Sequence, residues 1–192
     1  MKAFFPKEHD SENRISLTND VVTKYLSIGV DIFMEKDLGT HLGFSDSDFS
    51  DLGVNVVERE EGLSSADIIC SVNKLRNEDL DLLKEKALIV SFLDPFNEMN
   101  LVNNLKEKKL SSISMELVPR ITRAQKMDAL SSQANLGGYA AVLIASNILS
   151  KSFPMMMTAA GTISPSKVFV VGVGVAGLQA IATAKRMGAI VF

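Results

Sequence analysis

The chain has 192 residues, which is enough for one full domain or for one domain and part of a second. Apolar residues make up 46% of it and charged residues 22%, an ordinary globular composition that excludes a disordered chain, a collagen-like repeat and a disulfide scaffold. A net charge of −3 without a basic run argues against a nucleic-acid-binding protein, and the single cysteine, Cys70, favours a reducing compartment.

The first part of the chain alternates short apolar runs with helical segments. The predicted strands are residues 2–5, 31–35, 54–57, 68–72, 87–93 and 111–118. The predicted helices are residues 19–27, with Thr18 as the N-cap, and residues 46–52, 77–85 and 99–107. Strands that alternate with helices of this length predict βαβ units and a parallel sheet. The fold class is therefore α/β.

The later part of the chain is more apolar. Residues 133–151 predict a long helix that is hydrophobic almost all round and therefore buried. The run Met155-Met-Met157 predicts core packing. Residues 167–171 predict a strand, 178–187 a helix, and 189–192 the start of another strand.

Charge is distributed unevenly along the chain. All 23 acidic residues lie at or before Asp128, and the first 128 residues carry a net charge of −7, whereas residues 129–192 carry +4 and seven of the twelve glycines. This shift predicts a domain boundary between Asp128 and Asn135, although a buried helix and strand that need no charge would also explain it. We assign a flavodoxin/Rossmann-like α/β domain to residues 1–128. Residues 129–192 would be a connecting helix and the start of a Rossmann domain.

A glycine motif connects the predicted strand 167–171 to the predicted helix 178–187. It has the G-x-G-x-x-G spacing and consists of Gly172, Val173, Gly174, Val175, Ala176 and Gly177. The first glycine allows a tight turn, the second a close approach of backbone to a pyrophosphate, and the third close packing of helix on strand. The order strand, motif, helix, strand therefore predicts a dinucleotide site, with a purely structural turn as the alternative.

The motif should be followed by an acidic ribose ligand about 20 residues further on, at the end of the second strand. The sequence stops at Phe192, inside that strand. We therefore expect the chain to be a truncated or split product, a fragment that is inactive by itself. For the same reason, the residues present do not decide between NAD and NADP.

A polar run lies at the predicted boundary, over residues 119–135. Arg120 and Asp128 could form an ion pair that makes a loop rigid, and Gln125 offers both a donor and an acceptor, as a carboxamide requires. Ser131 lies in the same run. From these residues alone, a solvated linker between domains is the better explanation of the run, and a functional loop is the alternative.

Beyond these motifs, the chain resembles the α subunits of the proton-translocating NAD(P) transhydrogenases, in their NAD(H)-binding domain. Short matches at Pro6-Lys-Glu8 and Arg14-Ile-Ser-Leu-Thr18 belong to the wider family shared with alanine dehydrogenase. The resemblance covers the whole chain and about half of that domain. It is carried by Met115-Glu-Leu-Val-Pro-Arg-Ile-Thr-Arg-Ala-Gln-Lys-Met-Asp-Ala-Leu-Ser-Ser-Gln-Ala-Asn135, Phe153-Pro-Met-Met-Met-Thr-Ala-Ala-Gly161 and residues 172–189.

The resemblance implies direct hydride transfer between NAD(H) on this subunit and NADP(H) on a partner domain, coupled to proton translocation by a membrane domain. It implies NAD as the cofactor, no metal ligands, a homodimer, and a place on the cytoplasmic face of the inner membrane through partner subunits. It makes the glycine motif the pyrophosphate site. The implied catalytic residues are Arg120, Gln125, Asp128 and Ser131, which belong to the implied nicotinamide-contacting loop. The implied cofactor-binding residues of this run are Arg120, Gln125, Lys126, Met127 and Asp128.

Two other functions remain open. Alanine dehydrogenase resembles the chain too, and Arg14, its carboxylate-binding residue, is retained. However, Ser71 and Asp94 align with the lysine and histidine that its chemistry requires, and Lys74 lies three residues away. A non-catalytic interaction module is the third hypothesis, because most of the nucleotide domain is absent from the sequence.

Overall fold

The computed structural model describes residues 1–9 and 11–192. They form two compact units, Met1–Val118 and Pro119–Phe192. The first unit contains the predicted alternation of strands and helices, and the second contains the polar run and the glycine motif. The domain boundary expected after residue 128 lies ten residues beyond this division and stays a prediction.

The first unit is built on a six-stranded parallel sheet with the strand order β3-β2-β1-β4-β5-β6. Its strands are β1 (Lys2–Phe5), β2 (Asp31–Glu35), β3 (Asn55–Val57), β4 (Ile68–Cys70), β5 (Leu88–Ser91) and β6 (Ser111–Ser114). Its helices are α1 (Asn19–Ser27), α2 (Asp46–Ser50), α3 (Arg59–Ser65), α4 (Asn77–Leu82) and α5 (Met99–Glu107). The α/β fold class and the parallel sheet are confirmed.

The sheet is covered on both faces because successive side chains of a strand point to opposite sides. In the central strand β1, Phe4 belongs to a core that includes buried residues of α3, α4 and α5. Its neighbours Ala3 and Phe5 belong to a second core, with Val22 of α1 and Phe49 of α2. The central strands are therefore continuous apolar runs, as is usual for buried parallel strands.

Helix α3 and a β-hairpin at residues 156–163 of the second unit are elements that the sequence did not predict. Gly62 lies in the middle of this helix and normally disfavours one. A Cβ on Gly62 would lie 2.1–2.4 Å from three ring atoms of Phe4, so only glycine lets the helix pack this closely on β1. The prediction that Thr18 caps α1 is wrong in one respect: Thr18 is the N-cap residue, but its side chain makes no capping hydrogen bond.

The second unit begins with a 3₁₀ helix at Thr122–Met127 and continues into a long helix. The remaining elements are α6 (Ala129–Ile148), β7 (Met156–Thr158), β8 (Gly161–Ile163), β9 (Lys167–Val168), α7 (Val175–Arg186) and β10 (Ile190–Val191). Strands β9 and β10 pair in parallel and α7 connects them, which is one βαβ unit. Strands β7 and β8 form an antiparallel hairpin.

Two burial predictions for this unit are wrong. Helix α6 is not buried all round, since Gly138 and Val142 are its only buried residues and Ile144 and Ile148 are exposed. The methionine run does not pack in a core, and Met157 is 83% exposed. Both predictions assumed that apolar composition indicates burial, whereas much of a folded protein's surface is itself apolar. Within residues 1–9 and 11–192, no helix combines the length and apolar character needed to cross a membrane.

The contact between Gly62 and Phe4 generates the first prediction. The substitution Gly62→Ala should lower the free energy of unfolding by about 1–3 kcal/mol, because the added methyl group overlaps a fully buried ring. Denaturant unfolding measures the change. The exposed neighbour Glu61→Ala is the control and should shift stability by less than about 0.5 kcal/mol. Equal effects of the two substitutions would contradict the packing described for α3.

Candidate functional site

The glycine motif forms the loop before α7 and the first turn of that helix. Gly174 is the N-cap residue, and its carbonyl accepts the N–H of Leu178 at 2.9 Å. The backbone N–H groups of the first helical turn therefore have no partner within the helix. Among the described residues, no side chain caps this end. A helix N-terminus with unused N–H groups and a partial positive charge suits an anion such as a phosphate.

The three glycines of the motif have different structural roles. Gly172 has φ +99°, a conformation that L side chains rarely adopt. A Cβ on Gly177 would lie 2.0 Å from the carbonyl oxygen of Gly172, so this glycine lets α7 pack against the loop. A Cβ on Gly174 would meet no atom of the chain within 4 Å. The space in front of Gly174 is thus available to a bound molecule, which fits the pyrophosphate of a dinucleotide.

The polar run lies beside the glycine motif. A cavity of about 360 Å³ is lined by Arg120, Ile121, Thr122, Gln125, Asp128, Ser131 and Val175. All four proposed catalytic residues are in this set, together with one residue of the motif. Lys126 and Met127, which were assigned to the same loop, do not line the cavity, and both are exposed.

Asp128 connects the polar run to helix α6. It is the N-cap residue, and its Oδ1 accepts the backbone N–H of Ser131 at 2.9 Å. Hydrogen bonds from the hydroxyl and the backbone N–H of Ser131 lower the pKa of Asp128, and the charge of Arg120 lowers it further. In the described part of the chain, Arg120 and Asp128 do not form the ion pair that the sequence suggested. The carboxylate instead fixes the start of α6.

A second cavity, of about 530 Å³, lies in the first unit. Its lining residues are His9, Asn73, Lys74, Leu75, Arg76, Phe92, Asp94 and Glu116. It contains two residues weighed for alanine dehydrogenase chemistry, Lys74 and Asp94. Lys74 pairs with Glu98, and the carboxylate of Asp94 accepts two hydrogen bonds from Asn97, at 2.9 and 3.0 Å.

The other two residues of that comparison also have partners within the first unit. Ser71 is buried and donates its hydroxyl to the carbonyl of Asn73 at 2.8 Å. Arg14 donates from Nε and Nη2 to the carboxylate of Glu12, at 2.8 and 2.6 Å. The pairing lowers the pKa of Glu12 to about 2. Arg14 and Lys74 are thus engaged by carboxylates of their own unit.

A half-buried arginine beside this cavity is a feature that sequence reasoning missed. Arg59 donates from Nε and Nη2 to the two oxygens of Asp79, both at 2.8 Å, and from Nη1 to Glu35 at 2.7 Å. Nε2 of His9 lies 3.1 Å from Asp79 Oδ2. Burial alone would raise the pKa of Asp79, but the hydrogen bonds and charge of Arg59 outweigh burial and lower it. Positions 9, 35, 59 and 79 follow no local spacing, so the sequence carried no signal for this network.

The parallel sheet followed by a strand, glycine loop, helix and strand defines an α/β protein with the beginning of a Rossmann-type dinucleotide fold. Within this class, the chain belongs to the alanine dehydrogenase/PNT family. Residues 4–137 match "Alanine dehydrogenase/PNT, N-terminal domain", and residues 141–192 match "Alanine dehydrogenase/PNT, C-terminal domain".

Known relatives distinguish the branches of this family. The chain is 45% identical to a protein of Rickettsia prowazekii (strain Madrid E) that is named as the first part of NAD(P) transhydrogenase subunit alpha, over 94% of this chain and 49% of the relative. It is 26% identical to the alanine dehydrogenase of Staphylococcus haemolyticus (strain JCSC1435), over 98% of this chain and 51% of the relative. It thus spans about half the length of the curated relatives it matches.

A solved structure of a transhydrogenase is also similar to this chain. The transhydrogenase from Sinorhizobium meliloti superposes with a TM-score of 0.96 at 40% sequence identity, over 100% of this chain and 57% of that chain. These matches confirm the resemblance to the transhydrogenase α subunits.

The Arg59 network generates a prediction with a defined pH dependence. Asp79→Asn should destabilise the protein by about 3 kcal/mol near neutral pH, because it removes one partner of a buried ion pair. The folded-state pKa of Asp79 lies below its ordinary value of 3.8, so this stabilisation is present above about pH 4 and is lost as the pH falls further. Denaturant unfolding at a series of pH values measures both effects.

The control for this substitution is Asp81→Asn in the same helix. Asp81 pairs with Lys108 on the surface, with 67% of its side chain exposed, and should contribute less than about 1 kcal/mol. A stability difference between Asp79→Asn and the unmodified protein that stayed constant down to pH 2 would exclude the proposed linkage.

Proposed function

We propose that this chain is the NAD(H)-binding part of a proton-translocating NAD(P) transhydrogenase. The observation that carries the proposal is the cavity in which Arg120, Gln125, Asp128 and Ser131 meet Val175 of the glycine motif. In this cavity, side chains that can hydrogen-bond a carboxamide lie next to a helix N-terminus that suits a phosphate. A nicotinamide dinucleotide requires the first group for its nicotinamide and the second for its pyrophosphate. Similarity to proteins named transhydrogenase supports the assignment.

We propose NAD as the cofactor because the chain is similar to transhydrogenase α subunits. The backbone of Gly172–Gly177 would hold the pyrophosphate, with Gly174 giving it room to approach. Arg120 and Gln125 would bind the nicotinamide carboxamide. Lys126 and Met127 do not line the cavity and would contribute only as their neighbours in the same loop. When bound, NAD supplies a carbon that accepts or donates hydride.

The task of the protein is then to orient the nicotinamide and exclude water. Asp128 accepts the N–H of Ser131 and so fixes the end of the polar run at the first turn of α6, while Arg120 and Gln125 line the same cavity. Hydride passes from one nicotinamide to another without a proton, so the reaction needs no general acid or base. The roles proposed for the four catalytic residues are therefore positional.

The partners follow from the reaction. An NADP(H)-binding domain must present the second nicotinamide, and a membrane domain must couple the exchange to proton movement. We propose that both are supplied by other parts of the transhydrogenase, that two copies of this subunit associate, and that it lies at the cytoplasmic face of the inner membrane through its partners. We propose the domain division 1–128 and 129–192 from the change in charge and glycine content after Asp128.

Alanine dehydrogenase is the less favoured function. Arg14 and Lys74 are engaged by Glu12 and Glu98, whereas an amino-acid substrate would need their charges. We therefore expect no increase in NADH absorbance when the protein is incubated with alanine and NAD. Alanine-dependent NADH formation would transfer the chain to that branch of the family.

Gly174→Val tests nucleotide binding without disturbing the fold. The added side chain meets no atom of the chain at its Cβ but occupies the place of the pyrophosphate. We expect at least a tenfold loss of NADH affinity with an unchanged unfolding midpoint. The assay is nicotinamide fluorescence during titration of the protein at the length its own cells produce, established by intact mass.

Gly137→Ala is the matched control, because its Cβ also meets nothing within 4 Å and Gly137 lies outside the motif. NADH affinity should be unchanged in this variant. Failure of the unmodified protein to bind NADH would overturn the proposal and favour a non-catalytic interaction module. If Gly174→Val bound NADH as tightly as the unmodified protein, the glycine motif would not belong to the nucleotide site.

A further inference from the structure

Helices α6 and α7 meet backbone to backbone at one position in the second unit. A Cβ on Gly138 of α6 would lie 2.2 Å from the carbonyl oxygen of Ala176, and 2.9 and 3.0 Å from its carbonyl carbon and Cα. All three are backbone atoms, which cannot rotate away as the end of a side chain could. Gly138 is therefore the residue that permits this separation of the helices, and the adjacent Gly137 faces open space.

The contact lies on a continuous face of α6. Ser131, Gly138 and Val142 are seven and four residues apart, a spacing that places them on one side of a helix. Ser131 lines the polar cavity at one end of this face. Val142 is buried with Ala184 of α7 at the other end. Gly138 thus lies between the proposed nicotinamide cavity and the core of the unit.

The facing side of α7 is made of small residues. Ala176, Ala180 and Ala184 are spaced four residues apart and so share one side of that helix. Ala180 and Ala184 pack in the core that includes Val142. The small side chains of α7 and the glycine of α6 allow the close approach where Gly138 meets Ala176.

Ala176 is itself part of the glycine motif. Its neighbours Val175 and Gly177 complete the first turn of α7, whose N–H groups are the proposed pyrophosphate donors. The same helix α6 starts at Asp128, which holds the polar run. The separation of α6 from α7 therefore sets the distance between the phosphate-binding end and the carboxamide-binding end of the site.

We infer that Gly138 is a positioning residue for the dinucleotide, which holds the pyrophosphate loop at the correct distance from Arg120 and Gln125. The inference rests on the proposed function and adds a residue outside the glycine motif to the site. A methyl group at position 138 needs about 1 Å more room than the contact leaves, and a misplacement of this size can reduce activity by about 100-fold.

The experiment compares Gly138→Ala with Gly137→Ala. Both substitutions replace a glycine of α6 by the better helix former, so they match in helix propensity and differ only in the contact with Ala176. The ligands are NADH, which uses both ends of the site, and ADP-ribose, which has the pyrophosphate but no nicotinamide. Affinities are measured by fluorescence and by isothermal titration, with circular dichroism to verify folding.

Gly138→Ala should weaken NADH binding by about 10- to 100-fold while ADP-ribose affinity stays within about twofold. Gly137→Ala should bind both ligands as the unmodified protein does. A merely structural role would weaken both ligands together, so parallel loss of NADH and ADP-ribose in Gly138→Ala would overturn the inference. Unchanged binding of NADH would overturn it too.

If Gly138→Ala does not fold, Ala180→Val enlarges the same contact one turn further along α7. It should give the same selective loss of NADH affinity with a smaller magnitude, and equal loss of both ligands would overturn the inference. Failure of the proposed function is recognised separately, because the unmodified protein would then bind neither NADH nor ADP-ribose.

Discussion

In the second unit, the backbone at Gly138 and at Gly177 packs so closely against other backbone atoms that a methyl group would not fit. Gly138 lies against the carbonyl of Ala176, and Gly177 lies against the carbonyl of Gly172. The first contact holds helix to helix, and the second holds helix to loop. Between them they define where the first turn of α7 stands relative to Asp128 at the start of α6. A rigid separation of this kind is what a long ligand with two polar ends requires, because catalysis by orientation depends on distances accurate to a fraction of an ångström.

The two units differ in how their polar groups are satisfied. In the first unit, Arg59 is bonded to Asp79 and Glu35, while Arg14 and Lys74 are paired with glutamates. These three cations are engaged by carboxylates of their own unit, which leaves less of their charge to attract an anionic substrate. In the second unit, the N–H groups of the first turn of α7 have no partner within their helix. The proposed chemistry accordingly belongs to the second unit.

Local patterns predicted most elements of the first unit, since apolar runs and helical periodicity depend on neighbours in the sequence. Helix α3 was missed because Gly62 disfavours a helix on propensity, whereas its contact with the ring of Phe4 requires glycine there. The burial of α6 and of Met157 was predicted wrongly for a related reason. The apolar composition of a segment shows that its burial would be favourable, but the fold decides which of its side chains are packed against other elements.

The sequence by itself determined the parallel α/β architecture, the glycine motif and the resemblance to transhydrogenases, because each is written in contiguous residues or short spacings. Only the tertiary structure brought Arg59 to Asp79 and Gly138 to Ala176, over separations of 20 and 38 residues. Such contacts leave no periodic signature, since their geometry arises from how whole helices and strands pack. The tertiary structure likewise joined Val175 to the polar run in one cavity. In the proposed site, the motif supplies the backbone N–H groups for the pyrophosphate, and the packing of α6 on α7 sets their distance from the polar run.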